Sequence, residues 1–174
     1  VLKRALLLVL AFAAASCGSS SDATTAPSIA QLAGVWRGTT RVSTVTGGEC
    51  FASSMQLFVG STRTASAAVT QTGSTLNVTI TDPDRGYSCV YTGTAGASAI
   101  QLTATSCSAF DSIGAPCATG ALRDLRLQTS IINATVSGTS MTGTEVDTSS
   151  VNVSGTTSPV GTLTITSDFA VTKQ

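Results

Sequence analysis

The chain has 174 residues, nine basic and nine acidic, five cysteines and no histidine. That balance leaves no basic patch to hold nucleic acid. The missing histidine removes the side chain that most often carries protons or binds metal near neutral pH.

The first element is an export signal. Lys3 and Arg4 precede the apolar run Ala5 to Ala15, which is too short to cross a bilayer comfortably and ends in small residues. Residues 1–16 are therefore assigned to a signal peptide. Cys17 and the small, polar, aperiodic stretch from Gly18 to Ser28 form a flexible tether, 17–30. Residues 31–174 remain for one domain, long enough to build a core. Without Lys3 and Arg4, seven basic residues face nine acidic ones, a net charge near −2.

Within the domain, short runs alternate apolar and polar residues between turn residues, the pattern of half-buried antiparallel strands. Leu76, Val78 and Ile80 share one face, with Asn77 and threonines opposite, and Ile100 and Leu102 repeat the pattern. Strands are expected at 34–46, 65–72, 75–82, 87–95, 98–106, 122–137, 140–153 and 159–172. One short helix is expected between Cys50 and Val59. In the sixth strand Leu125 and Leu127 occupy odd positions while Ile132, Ala134 and Val136 occupy even ones, which requires a bulge or break near Ile131 and Ile132. Two turns, around Gly73 and Gly138, are hairpin-like. The fold class is all-β, roughly eight antiparallel up-and-down strands closing into a barrel, which removes exposed edges. A two-sheet sandwich is the alternative. The inward set is expected to be Leu76, Val78, Ile80, Val90, Ile100, Leu102, Leu125 and Leu127.

Cys50, Cys89, Cys107 and Cys117 lie within the domain, and an even number in an exported chain points to disulfides. No pair has CxxC spacing, so no metal site is expected. Three pairings are possible. Cys107–Cys117 with Cys50–Cys89 is favoured, and a cross-strand Cys89–Cys107 bridge is the rival.

Two resemblances follow. Ala14-Ala15-Ser16-Cys17 resembles the lipobox of bacterial lipoproteins, which implies lipidation at Cys17 and attachment to a membrane. Gly18 after that cysteine, in place of aspartate, implies by the same resemblance the outer membrane, with the domain facing the periplasm or cell surface. Gly34-Val35-Trp36 resembles the Gly-x-Trp start of lipocalins and related calycin barrels. There the tryptophan plugs one end under a basic residue of the last strand, a role for which Lys173 is the candidate. A lipocalin-like barrel implies either a carrier of a small apolar ligand or an inhibitor-like protein-interaction module of the envelope, with a solid core.

Catalytic residues are not expected. No serine lies in a Gly-x-Ser-x-Gly elbow, and no cofactor is implied. Asp82-Pro83-Asp84-Arg85-Gly86 reads as a solvated turn ahead of a calcium loop. Glu145 and Asp147 share a face of the seventh strand and are expected to point to solvent, because burying two carboxylates is costly. Arg37 and Arg41 belong to the outer wall. Arg123, Asp124 and Arg126 are the one charge concentration, a candidate rim for a ligand or partner. Asn77, Asn133 and Asn152 head Asn-x-Ser/Thr triplets that follow from threonine-rich strands.

Overall fold

The structure is a computed structural model and describes residues 28–47, 50–82, 86–108, 115–116 and 122–174. The signal, Cys17 and most of the tether lie outside the described residues. Among the described residues, nine strands and one helix follow in chain order: β1 (Gly34–Gly47), α1 (Cys50–Gln56), β2 (Thr62–Thr72), β3 (Thr75–Asp82), β4 (Tyr87–Ala95), β5 (Ala99–Cys107), β6 (Ala115–Pro116), β7 (Leu122–Ser137), β8 (Ser140–Val153) and β9 (Pro159–Lys173). β6 is a two-residue addition to β7. The other eight strands pair antiparallel, each with its neighbours in sequence. The ring closes where β1 pairs β9 and β5 pairs β7. The architecture is an up-and-down closed barrel with one short helix after the first strand, as the alternation predicts.

Tight turns fix the register. Gly73 and Gly138 adopt φ of 59°, a left-handed conformation open to glycine without steric cost, and join Thr72 to Thr75 and Ser137 to Ser140. The bulge expected in the long strand lies between Leu127 and Thr129, earlier than the sequence suggests. Leu125 and Leu127 face inward before it, and Ser130, Ile132, Ala134 and Val136 face inward after it. Ser130 joins the buried face as a hydroxyl, so apolar periodicity alone places the switch too late.

The two ends of the barrel differ. At one end the segment from Ala30 to Leu32 straps across the opening. Ala30 N donates to Gly96 O at 3.2 Å, Leu32 N to Gln71 Oε1 at 2.7 Å, and Gln71 Nε2 to Ala30 O at 2.8 Å. Ala30, the last residue assigned to the tether, is thus in contact with the domain. Beneath this strap Trp36 is 0 % exposed and its Nε1 donates to Leu32 O at 2.8 Å. At the other end α1 packs on β1, with Gln56 Nε2 donating to Val45 O at 2.7 Å.

Inside, two apolar clusters are stacked along the barrel axis. The larger surrounds Trp36 and includes Leu32, Leu76, Val78, Tyr91, Ile100 and Leu102. The smaller lies near α1 and comprises Val42, Val45, Leu125, Val151 and Leu163. Val90, expected to face inward, is instead on the outer wall at 36 % exposure. β4 turns Tyr87, Cys89, Tyr91 and Ala95 inward, a column whose polar atoms disguise it as a solvent face.

Cys89 and Cys107 are register partners on β4 and β5 and form a disulfide. This corrects the favoured pairing: Cys107–Cys117 and Cys50–Cys89 are both excluded by it. The reason is the register itself, since β4 and β5 are adjacent and place the two Cβ atoms side by side. Cys50 opens α1, and its side chain and Cys117 lie outside the described residues.

Candidate functional site

Between and alongside the two apolar clusters lies a cavity of about 460 Å³. Its floor is Trp36, Leu32, Val69, Leu76 and Met141. Its walls carry Thr40, Arg63, Asp82, Tyr87, Glu145 and Asp147, and its mouth is framed by Val42, Met55, Phe58 and Leu125. An apolar enclosure with a few convergent polar groups is the usual form of a small-molecule site, and its volume falls within the roughly 300–1,000 Å³ typical of one.

The polar groups come from five strands. Strand alternation turns Met141, Glu145, Asp147 and Ser149 of β8 to the same side, so the carboxylates follow Met141 inward. Their expected solvent orientation is thereby corrected. Tyr91 of β4 donates to Glu145 Oε1 at 2.5 Å, and Ser130 of β7 lies 3.0 Å from the Tyr91 oxygen and 3.3 Å from Glu145 Oε1. These two hydroxyls occupy Glu145 Oε1. Asp147 is opposite Ser130 in the β7–β8 register, yet its Oδ1 is buried without a hydrogen-bond partner among the described residues.

Burial is the first cause of an unusual acidity at Asp147. Desolvation, reinforced by the Glu145 charge, pushes its carboxyl up to about 7, while Ser130 and the Arg63 guanidinium counteract only in part. Desolvation and the same carboxylates also raise Tyr87 and Tyr91 well above the ordinary phenol range, so both stay protonated donors. Arg63 of β2 pairs with Asp82 of β3 at 3.6 Å. Arg63 Nε and Thr40 Oγ1 are, like Asp147 Oδ1, buried without partners. All three of these atoms belong to side chains that line the cavity.

The residues singled out from sequence fall elsewhere. Lys173 stands opposite Trp36 in the β1–β9 register, and its Nζ donates to Gln31 O at 3.3 Å, across the strapped end. Asp124 accepts from Ser154 Oγ at 2.6 Å and from Gly155 N at 3.3 Å, and Arg126 donates to Thr156 O at 3.4 Å. The two thus brace the loop between β8 and β9, and neither lines the cavity. Arg123 pairs Val153 in register, and its side chain lies outside the described residues. Arg37 and Arg41 are exposed, as expected of the outer wall. Asp84 and Arg85 lie outside the described residues, while Asp82 is turned into the cavity. Among the described residues no group of three or more His, Cys, Asp or Glu could hold a metal ion.

A second pocket of about 300 Å³ lies between Ala104–Ser108 of the β5 end and Arg126–Ser130 of β7. It exists because β5 and β7 pair only over Ala99–Thr103 and Ile131–Thr135 and then diverge. Comparison with family models, with curated proteins and with solved structures returns no match to this chain, so the chemistry of the cavity has to be read from its own residues.

Proposed function

We propose that this protein is a membrane-tethered, extracytoplasmic binding protein of lipocalin-like build, which holds a small, largely apolar molecule inside its barrel. The observation that carries the reading is the cavity of about 460 Å³, floored by Trp36 and open beside α1. A solid barrel would serve an interaction module, whereas an enclosed apolar space favours a carrier. Leu57, at 85 % exposure, and Phe58 and Val59 beside it give the mouth an apolar lip on which such a molecule can land. The same lip is the feature that favours the second reading, contact with an envelope protein. The tether belongs to the proposal too: acylation at Cys17 would keep the barrel at the bacterial outer membrane, and stable anchoring needs more than one acyl chain.

The test uses N-phenyl-1-naphthylamine, an uncharged apolar dye that brightens when it leaves water. Saturable uptake with one site per chain is expected, with Trp36 emission quenched by energy transfer to the bound dye. Absence of saturable uptake, together with no co-purifying small molecule in native mass spectra, would remove the carrier reading. Cys17→Ser should move the protein from the membrane to the soluble fraction, and persistent attachment would refute the anchor.

A further inference from the structure

We infer that the cavity selects an apolar molecule bearing a protonated amine, with Asp147 and Glu145 as the groups that receive it. The inference rests on the proposed binding role and adds the chemical class of the ligand. Among the described residues, three carboxylates, Asp82, Glu145 and Asp147, line the cavity against one guanidinium, Arg63. Arg63 is already paired with Asp82. Among the described residues, the cavity charge left without an opposite partner is therefore negative, and it sits at Glu145 and Asp147, on one strand and on one face.

At the two carboxylates the hydrogen-bonding capacity left over points the same way, while Arg63 Nε and Thr40 Oγ1 leave room for a further polar atom on the ligand. Glu145 Oε1 is occupied by Tyr91 and Ser130. Asp147 Oδ1 is buried and lacks a donor. A carboxylate oxygen in that state needs an N–H or O–H brought by the ligand, and an ammonium supplies three donors together with the opposite charge. An ionised carboxylic acid would bring a third negative charge to the same strand face. An uncharged alcohol would satisfy the oxygen but leave the charge uncompensated. The rest of the lining, from Trp36 and Leu76 at the floor to Phe58 at the mouth, fits an alkyl or aryl body.

The pH behaviour follows from the groups that surround Asp147. Facing it are Glu145 on its own strand, Ser130 on β7, Ile165 on β9, Tyr87 and Tyr91 on β4, Asp82 on β3 and Arg63 on β2. Burial keeps the two tyrosines protonated and neutral. Asp147 ionises near neutral pH, so it becomes an acceptor for an ammonium as the pH rises from 5 to 8, while an alkylamine stays protonated throughout.

Octylamine, octanol and octanoate, below their aggregation concentrations, separate the possibilities by displacing N-phenyl-1-naphthylamine at pH 8. Octylamine is expected to bind roughly tenfold or more tightly than octanol, and octanoate more weakly than either. In Asp147→Asn the ratio of amine to alcohol affinity should fall toward one, and in wild type the same ratio should fall on going from pH 8 to pH 5. Glu145→Gln provides an independent variant with the same direction of effect. Equal affinities, or preference for octanoate, with dye uptake intact would overturn the amine assignment and leave the carrier reading standing. Failure of the dye and of all three ligands to bind would defeat both.

Discussion

Replacing Asp147 by asparagine should stabilise the unliganded protein, and by an amount that grows with pH. The unfolded chain ionises this carboxyl near its ordinary value of 3.8, whereas the folded barrel holds the proton to about 7. Between those values the native state binds more protons than the unfolded state, so stability falls as the pH rises. Below pH 4 both states are protonated and the full stability is present; above pH 7 both are ionised and the loss is complete. At ~1.36 kcal/mol for each unit, a displacement of roughly three units corresponds to at most about 4 kcal/mol. Water entering from the mouth reduces this, so ~2 kcal/mol is the working expectation, or a rise of about 4–8 °C in Tm at pH 8 for a domain of this size. The asparagine is nearly isosteric and cannot ionise. Urea unfolding followed by Trp36 fluorescence, at one-unit steps from pH 4 to pH 8, should give coincident curves at pH 4 and an increasing gap above it. A gap independent of pH, or a wild type that is the more stable at pH 8, would show that Asp147 is not the buried acid described. Glu145→Gln removes the charge that reinforces the shift, so on that background the gap should narrow.

Three further outcomes follow from the packing. Trp36→Ala removes the largest buried side chain at the strapped end and its hydrogen bond to Leu32, and should cost roughly 3–5 kcal/mol in denaturant unfolding. A Cβ at Gly143 would sit 2.2 Å from Asn133 O and 2.7 Å from Ala134 Cα, both backbone atoms of β7. Gly143→Val should therefore lower the urea midpoint by the equivalent of at least ~1–3 kcal/mol, and an unchanged midpoint would contradict the close approach of β7 and β8. Peptide mapping without reduction should recover Cys89 linked to Cys107, a bridge with a sequence separation of 18. Replacing both by alanine should cost ~2–4 kcal/mol, and recovery of Cys107 linked to Cys117 would refute the assigned register.

The barrel was legible because its strands are short, threonine-rich and separated by turn residues. β3, β4, β7 and β8 fall on the residues that alternation assigns to them. What alternation could not supply was the inward side of polar strands. Val90 looks like a core residue, but Tyr87, Cys89 and Tyr91 outvote it once their rings and the disulfide are packed. For Glu145 and Asp147 the signal was present: they are in phase with Met141 and Val151, two apolar residues of the same strand. The cost of burying charge argued against that phase. The barrel meets the cost by leaving Asp147 protonated into the neutral range and by setting Tyr91 and Ser130 on Glu145. Arg63 escaped notice because it precedes the apolar part of β2, and only the three-dimensional pairing with Asp82 brings it to the cavity. The Cys89–Cys107 bridge needed a register, including the irregularity between Val90 and Tyr91, that spacing does not contain.

The divergence of β5 from β7 gives the barrel a wall of unequal thickness. Ser130 lines the pocket there, and its hydroxyl also contacts Glu145. Because Ser130 is fully buried, a single hydroxyl ties the seam where β5 and β7 part to the acidic network inside the barrel.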